Sequence, residues 1–124
     1  MSMSWRVAIG AIALFNIVIG LGFLIDPAGS ALRFHLSPLG SQGMATLRAD
    51  FPAFFIVGGG GALIAALQAR RGPLLVPIAL LGIAFLGRVV SLVADGAPPT
   101  AAPPMIAEAV MIALLGLAWR NGRA

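Results

Sequence analysis

The 124-residue sequence has no cysteine, no lysine and no tyrosine, and it has a single histidine. Without cysteine the chain can form neither a disulfide nor a thiolate nucleophile. His35 alone cannot supply a multi-histidine metal site or a bis-histidine haem site within one subunit. These absences exclude the common thiol, zinc and haem chemistries, and we expect the chain to use no metal and no cofactor.

Charged residues are also scarce. They make up 10% of the sequence, against about 25% in soluble domains, while hydrophobic residues make up 60% and the mean hydropathy is +1.02. All eight basic residues are arginines that occur singly or as one pair, so they form no basic face of the kind that binds DNA or RNA. We therefore expect a membrane protein without a nucleic-acid partner.

Four apolar runs approach the length of about 20 helical residues that crosses a bilayer. They cover residues of about 5–25, 51–69, 73–93 and 105–119. The first run is longer than the apolar part of a signal peptide and ends in a poor cleavage site, so we expect it to be retained. The sequence therefore predicts an all-α protein, with residues 1–124 forming a single domain that is an antiparallel four-helix transmembrane bundle.

The arginines orient this predicted bundle. Two of them flank one side, Arg33 and Arg48, and five flank the other: Arg6, Arg70, Arg71, Arg120 and Arg123. Because cytoplasmic loops carry the excess of basic residues, both termini and the turn between the second and third spans are predicted to be cytoplasmic. Trp5 and Trp119 fall on the same side, as interfacial anchors would.

Two ionisable residues lie inside the predicted spans. Arg88 lies about 7–8 Å inward from the outer end of the third span and Glu108 about 4–5 Å inward in the fourth, at 1.5 Å per residue. A charge at bilayer depth costs roughly 2.5–3.5 kcal/mol, so we expect the two side chains to pair. The pair has two interpretations. It fixes how the helices pack, or it serves a ligand or proton pathway, with Arg88 holding an anion and Glu108 accepting a proton or cation.

The remaining acidic residues collect toward the same outer end, because Asp26 ends the first span and Asp95 ends the third. Asp50 is the predicted N-cap of the second span; alternatively, the helix begins near Ser41 and contains Pro52 as a kink. In both geometries we expect a charge cluster with a binding or structural role, composed of Arg88, Glu108, Asp50, Arg48, Asp95 and Asp26.

Four consecutive glycines occupy positions 58–61. They do not form a phosphate-binding loop, because no Lys-Ser/Thr follows them. Small residues allow membrane helices to approach closely, and one such seam is predicted from Gly58, Gly61, Ala62 and Ala65. Further close packing is predicted at Gly20, Gly22, Gly82 and Gly87. This surplus of small-residue surface predicts a homo-oligomer or a subunit of a larger membrane complex.

Several short motifs follow one another along the chain. They are Phe23-Leu24-Ile25-Asp26-Pro27, Leu47-Arg48-Ala49-Asp50-Phe51, Gly87-Arg88 with Asp95-Gly96, and Glu108 early in the fourth span. Together they resemble a family of small four-helix bacterial integral-membrane proteins that is catalogued as a domain of unknown function. The resemblance implies the four-helix fold, the polar positions and a location in the bacterial inner (cytoplasmic) membrane, but no activity.

Two classes of function remain. The first is a non-enzymatic protein that binds membrane lipid or a small amphipathic ligand, or that is an accessory subunit. The alternative is a membrane enzyme or proton-coupled carrier that uses Glu108 as a base and Arg88 as an anion clamp. We favour the first class, because general acid–base chemistry needs a reacting partner within reach and the sequence shows no nucleophile–base pair. A cavity beside Glu108 would support binding or catalysis.

Overall fold

The computed structural model describes residues 1–122, so Arg123, which contributed to the predicted orientation, lies outside the described residues. The described chain is helical, with α1 (Met3–Ile25), α2 (Pro27–Leu32), α3 (Gly40–Gln68), α4 (Leu75–Ala94) and α5 (Ala102–Asn121), and a 3-10 turn at Gly72–Leu74. Four of these helices, all except α2, are long and apolar enough to cross a membrane. The predicted all-helical class and the four apolar spans are confirmed at this level.

The start of α3 differs from the predicted second span. The helix begins at Gly40 rather than at residue 51, and Leu39 occupies the N-cap position, so the prediction that Asp50 is the N-cap is wrong. Pro52 lies buried inside the helix, where it cannot donate a hydrogen bond to the carbonyl of Arg48. The alternative boundary near Ser41 is therefore the correct one. Hydropathy missed the first turns of α3 because residues 40–50 are largely polar or small.

The junction between α1 and α2 is set by Asp26. Its carboxylate Oδ1 accepts a hydrogen bond from the Gly29 backbone N–H at 3.1 Å, and Pro27 occupies the first turn of α2. A carboxylate at an N-cap compensates the unpaired N–H groups of a helix start, where proline is also favoured. A Cβ at Gly29 would collide with this carboxylate. The sequence Asp-Pro-Ala-Gly therefore ends one helix and begins the next.

Glycines allow α1 and α3 to pack more extensively than any other pair of helices. A Cβ at Gly59 would lie 2.8 Å from the carbonyl oxygen of Ala13 and 2.7 Å from the Cγ1 of Ile17. A Cβ at Gly20 would lie 2.7 Å from the Cγ1 of Ile56. All three distances are too short for a real Cβ, so the two helices approach this closely only because Gly20 and Gly59 carry no side chain.

Two other glycines of the run, Gly58 and Gly61, face α4 and the 3-10 turn before it. A Cβ at Gly58 would meet a leucine of α4 at 3.3 Å, and one at Gly61 would lie 3.0 Å from the carbonyl oxygen of Pro73. The two glycines of the predicted seam therefore lie on one side of α3, and Gly59, which was not assigned to that seam, packs on α1 because neighbouring residues of a helix point in different directions. The predicted close packing is absent at two glycines of α4, where a Cβ would meet no described atom within 4 Å: Gly82 and Gly87.

The four long helices form a ring around a partly filled centre. Within residues 1–122, no Cα atom of α1 lies within 8 Å of one in α4, and the same holds for α3 and α5. The end of the ring near Trp5 and Trp119 is filled by a core of Ile9, Ile12, Ala13, Ala62, Ala65, Ala66, Leu74, Leu81, Leu115 and Ala118. Toward the opposite end the centre is open, and the predicted site residues lie there.

Candidate functional site

An ion pair joins α4 to α5. The Nε of Arg88 donates a hydrogen bond to the Oε1 of Glu108 at 2.7 Å. The side chain of Glu108 is 11% exposed and that of Arg88 is 38% exposed. The predicted pairing of these residues is confirmed. Because an unpaired buried carboxylate is costly, the contact with Arg88 allows Glu108 to occupy the interior of the bundle.

Arg88 retains most of its hydrogen-bonding capacity. A guanidinium carries five N–H donors in a planar fork, and the bond to Glu108 uses only the Nε–H. Within the part of the chain that the structure describes, the two terminal nitrogens, Nη1 and Nη2, make no hydrogen bond. Arg88 lines two neighbouring cavities, so its remaining four donors are available at the boundary between them.

The first cavity, here called the inner chamber, lies between the helices beside the ion pair and has a volume of about 410 Å³. Small-molecule sites usually measure about 300–1,000 Å³ and are mostly apolar with a few polar groups. The inner chamber has this composition, since five phenylalanines and only four polar residues line it. Its walls are formed by Phe15, Asn16, Ile19, Phe34, Asp50, Phe51, Phe54, Phe55, Leu81, Ala84, Arg88, Pro104, Ala107, Glu108 and Met111.

The second cavity, here called the outer vestibule, has a volume of about 530 Å³. It shares Phe34, Arg88 and Pro104 with the inner chamber, so the two cavities lie side by side with Arg88 between them. Two further basic residues, Arg33 and His35, line the outer vestibule, and none of its described lining residues is acidic. The vestibule is therefore a basic opening next to an apolar chamber.

A turn after α2 places these basic groups. His35 adopts a left-handed backbone conformation, with φ 59°, which non-glycine residues rarely adopt. The Leu36 N–H donates back to the carbonyl oxygen of Ala31 at 2.9 Å and closes the turn. The ring of Phe34 then packs against two other phenylalanines at centroid distances of 5.5 and 5.7 Å. Its neighbours Arg33 and His35 remain exposed at the vestibule.

Three of the six predicted cluster residues line the inner chamber. They are Arg88, Glu108 and Asp50. Asp50 is exposed on α3 and forms no ion pair within residues 1–122, where Arg88 and Glu108 form the only one. The chamber therefore contains one ion pair and a separate carboxylate rather than the continuous charge network that the sequence suggested.

The other three residues of the predicted cluster make local contacts. The Nε of Arg48 donates to the carbonyl oxygen of Leu24 at 3.3 Å, which covers the end of α1. Asp95 accepts a hydrogen bond from the Ser91 hydroxyl at 2.9 Å within the last turn of α4. Asp26 caps α2. Each of the three therefore bonds to nearby backbone or side-chain groups, and none of them lines the inner chamber.

The aromatic wall of the chamber was not predicted. Phe51, Phe54 and Phe55 recur at the spacing of one helical face, which is the sequence signal that indicates a shared apolar surface. The amide of Asn16 donates to the Ile12 carbonyl of its own helix at 2.9 Å and, across the chamber wall, to the Sδ of Met111 in α5 at 3.6 Å. No family model, no curated protein and no solved structure matches this chain.

Proposed function

We propose that this chain is a multi-pass protein of the bacterial inner membrane that binds one small amphipathic molecule between its helices. The observation that carries this function is the inner chamber, an apolar space of about 410 Å³ with the Arg88–Glu108 pair in its wall. An apolar chain fits such a space, and the ion pair provides a polar anchor at one end. Membrane lipid is the nearest source of ligands of this kind.

The proposed arrangement is an antiparallel bundle with both termini in the cytoplasm. Contacts between opposite ends of α1 and α3 support the antiparallel order, since Arg6 near the start of α1 donates to Ala66 near the end of α3 at 2.7 Å. Arg48 in the first half of α3 likewise reaches Leu24 near the end of α1. The excess of arginines on the side of the termini supports the sidedness. The motif resemblance supports membership in the four-helix bacterial family of unknown function.

An enzyme or proton-coupled carrier is less well supported. Glu108 and Arg88 would supply a base and an anion clamp, but none of the described lining residues of the inner chamber carries a hydroxyl, a thiol or an imidazole. A nucleophile or a second proton-transfer group would normally accompany a catalytic base. Binding requires neither, so the residues of the chamber favour it.

Self-association is a further part of this proposal. Gly82 and Gly87 lie on α4 with open space where a Cβ would be, and large apolar residues on the same helix are exposed, among them Ile83 and Leu86. Small residues on a lipid-facing surface allow a second helix to approach closely. We therefore propose a homo-oligomer or a larger membrane complex.

The binding function is tested by photolabelling. The full chain in phosphatidylcholine nanodiscs is labelled with a diazirine-bearing analogue of dodecanol, a neutral amphiphile. We expect label on the peptide that contains Phe51 and Phe54 and on Met111, because these residues line the inner chamber, and we expect excess dodecanol to remove it.

Two substitutions on α4 provide the matched comparison. Ala84 lines the inner chamber, whereas Ala79 is exposed and lines neither cavity. Ala84→Phe fills the chamber and should abolish the competed label, and Ala79→Phe should keep it, with circular dichroism confirming that both variants are folded. Equal labelling of the two variants, or labelling that dodecanol does not reduce, would contradict binding in the chamber.

A further inference from the structure

We infer that the ligand is an anionic amphiphile whose carboxylate or phosphate headgroup lies in the outer vestibule while its single apolar chain lies in the inner chamber, an assignment that rests on the proposed binding function. The two cavities adjoin at Arg88, so one molecule can occupy both. The volumes of about 410 and 530 Å³ are each of the size of a small-molecule site.

The charge of the outer vestibule favours an anion. Arg33, His35 and Arg88 line it, and its described lining residues include no carboxylate. Glu108 compensates Arg88 from the side of the inner chamber. Arg33 has no such compensation, since its guanidinium makes no ion pair within residues 1–122. A concave surface with one sign of charge attracts and concentrates ions of the opposite sign.

Arg88 is held in an orientation that suits a headgroup. Its Nε donates to Glu108 at 2.7 Å, which restricts how the guanidinium can turn before a ligand arrives. The terminal Nη1 and Nη2 groups remain, and a pair of parallel N–H donors matches the two oxygens of a carboxylate or phosphate. Preorganisation of this kind reduces the entropy lost on binding.

The start of α5 adds to the positive potential. Ala101 occupies its N-cap position without a capping side chain, and Ala101, Pro103 and Pro104 line the outer vestibule. The N-terminal end of a helix carries a partial positive charge. The prolines cannot donate hydrogen bonds, so this end contributes through its dipole while the arginines supply the donors.

A cationic headgroup is the competing assignment. Asp50 and Glu108 line the inner chamber together with five phenylalanines, which could attract a cation. Glu108 is already paired with Arg88, however, and Asp50 is exposed. An ionic headgroup in the inner chamber would also lose its water among mainly apolar side chains. The unpaired carboxylate of Asp50 therefore belongs to the inner chamber, whereas the unpaired charge in the described lining of the outer vestibule is the positive charge of Arg33.

The assignment is tested by competition against the diazirine dodecanol label. The competitors are dodecyl phosphate, dodecanol, dodecyltrimethylammonium and inorganic phosphate, each added to the full chain in phosphatidylcholine nanodiscs. We expect dodecyl phosphate to compete at a concentration about tenfold or more below that of the neutral and cationic amphiphiles, because charge-assisted hydrogen bonds hold its headgroup. Inorganic phosphate should not compete, since it has no apolar chain.

A matched pair of charge reversals tests the role of the vestibule. Arg33→Glu should weaken competition by dodecyl phosphate by about tenfold and leave competition by dodecanol unchanged. Arg33→Gln should weaken competition by dodecyl phosphate to a smaller extent. Arg70→Glu is the control, because Arg70 is exposed and lines neither cavity. This substitution should leave competition by dodecyl phosphate and by dodecanol unchanged.

Several outcomes would overturn the assignment. Equal competition by the three amphiphiles, strongest competition by dodecyltrimethylammonium, or no effect of Arg33→Glu would each reject an anionic headgroup in the vestibule while leaving binding in the chamber intact. Competition by inorganic phosphate alone would reject the apolar chain. Absence of competed label in the inner chamber with every amphiphile would reject the proposed binding function and this assignment together.

Discussion

Arg6, in the first turn of α1, donates from its Nε to the carbonyl oxygen of Ala66 in the last turn of α3 at 2.7 Å. Its Nη2 donates to the next carbonyl, that of Leu67, at 3.1 Å. The last carbonyl groups of a helix have no partner within the helix and carry the negative end of its dipole. An arginine from a neighbouring helix therefore satisfies and neutralises the end of α3.

The same contact recurs at two other helix ends. Arg48 donates to the carbonyl oxygen of Leu24 at 3.3 Å near the end of α1. Arg71 donates to the carbonyl oxygen of Trp119 at 3.5 Å near the end of α5, and its guanidinium lies 4.7 Å from the centre of the indole ring. Much of the basic excess of this chain therefore has a structural use at helix termini.

Arg6→Met should destabilise the fold, because it removes the charged donor from the end of α3 while keeping the apolar stem. We expect a loss of about 1–2 kcal/mol in the free energy of unfolding in detergent. Arg70→Met is the control, since Arg70 is exposed and its side chain makes no hydrogen bond within the described residues. Equal effects of the two substitutions would show that the contact between Arg6 and Ala66 contributes nothing.

Gly59→Ala and Gly60→Ala should have opposite effects. A Cβ at Gly59 would lie 2.8 Å from the backbone oxygen of Ala13, so α1 and α3 would have to separate, at a cost of about 1–3 kcal/mol. A Cβ at Gly60 would meet no described atom within 4 Å, and alanine favours the helix by about 0.5–1 kcal/mol over glycine. The thermal midpoint of each variant, followed by circular dichroism, measures the difference. A stabilised Gly59→Ala protein would mean that the two helices do not approach as described.

The Arg88–Glu108 pair should give unequal losses when each partner is removed. Arg88→Ala leaves the carboxylate of Glu108, which is 11% exposed, without its partner, and we expect a loss of about 1–3 kcal/mol or more. Glu108→Ala should cost less, because the Arg88 side chain is 38% exposed and water can hydrate it.

The double substitution completes this cycle. Arg88→Ala combined with Glu108→Ala should recover part of the loss caused by Arg88→Ala, because no buried charge remains unpaired. The free energy of unfolding in detergent is measured at one pH for the unsubstituted protein, the two single variants and the double variant. Strictly additive losses would show that the two residues do not interact energetically, despite their contact of 2.7 Å.

The proposed topology is tested with single cysteines, which the absence of native cysteine makes unambiguous. Ser41 and Gly72 are both exposed and lie at opposite ends of α3. In intact cells, a membrane-impermeant maleimide should label Ser41→Cys from the periplasm and should label Gly72→Cys only after the cells are broken. The reverse pattern would invert the proposed orientation.

The contact between Arg88 and Glu108 could be predicted because it depends on few variables. Two neighbouring helices of constant rise, joined by a short loop, place residues at calculable depths, and a buried charge requires a partner. The four spans follow from hydropathy alone for the same reason. These features depend on distance along one helix or on the average character of a segment.

Features that depend on which helix faces lie together could not be predicted. Gly59 packs on α1 while Gly58 packs on α4, and nothing in four identical residues distinguishes them. Arg48 was assigned to a charge cluster, whereas it reaches the end of α1 because that end lies beside it. The outer vestibule required the turn at His35, and a histidine is only a weak indication of the left-handed conformation found there.

The uneven packing of the ring has a consequence for biogenesis. α1 and α3 share the most extensive interface and are separated in the chain only by α2 and a short connection, so they can pair while the ribosome is still synthesising the later helices. α5 is the last helix to emerge, and it supplies both Glu108 and the contacts that close the ring onto α1. The ion pair of Arg88 and Glu108 therefore cannot form, and the wall of the inner chamber cannot be completed, until α5 has been made.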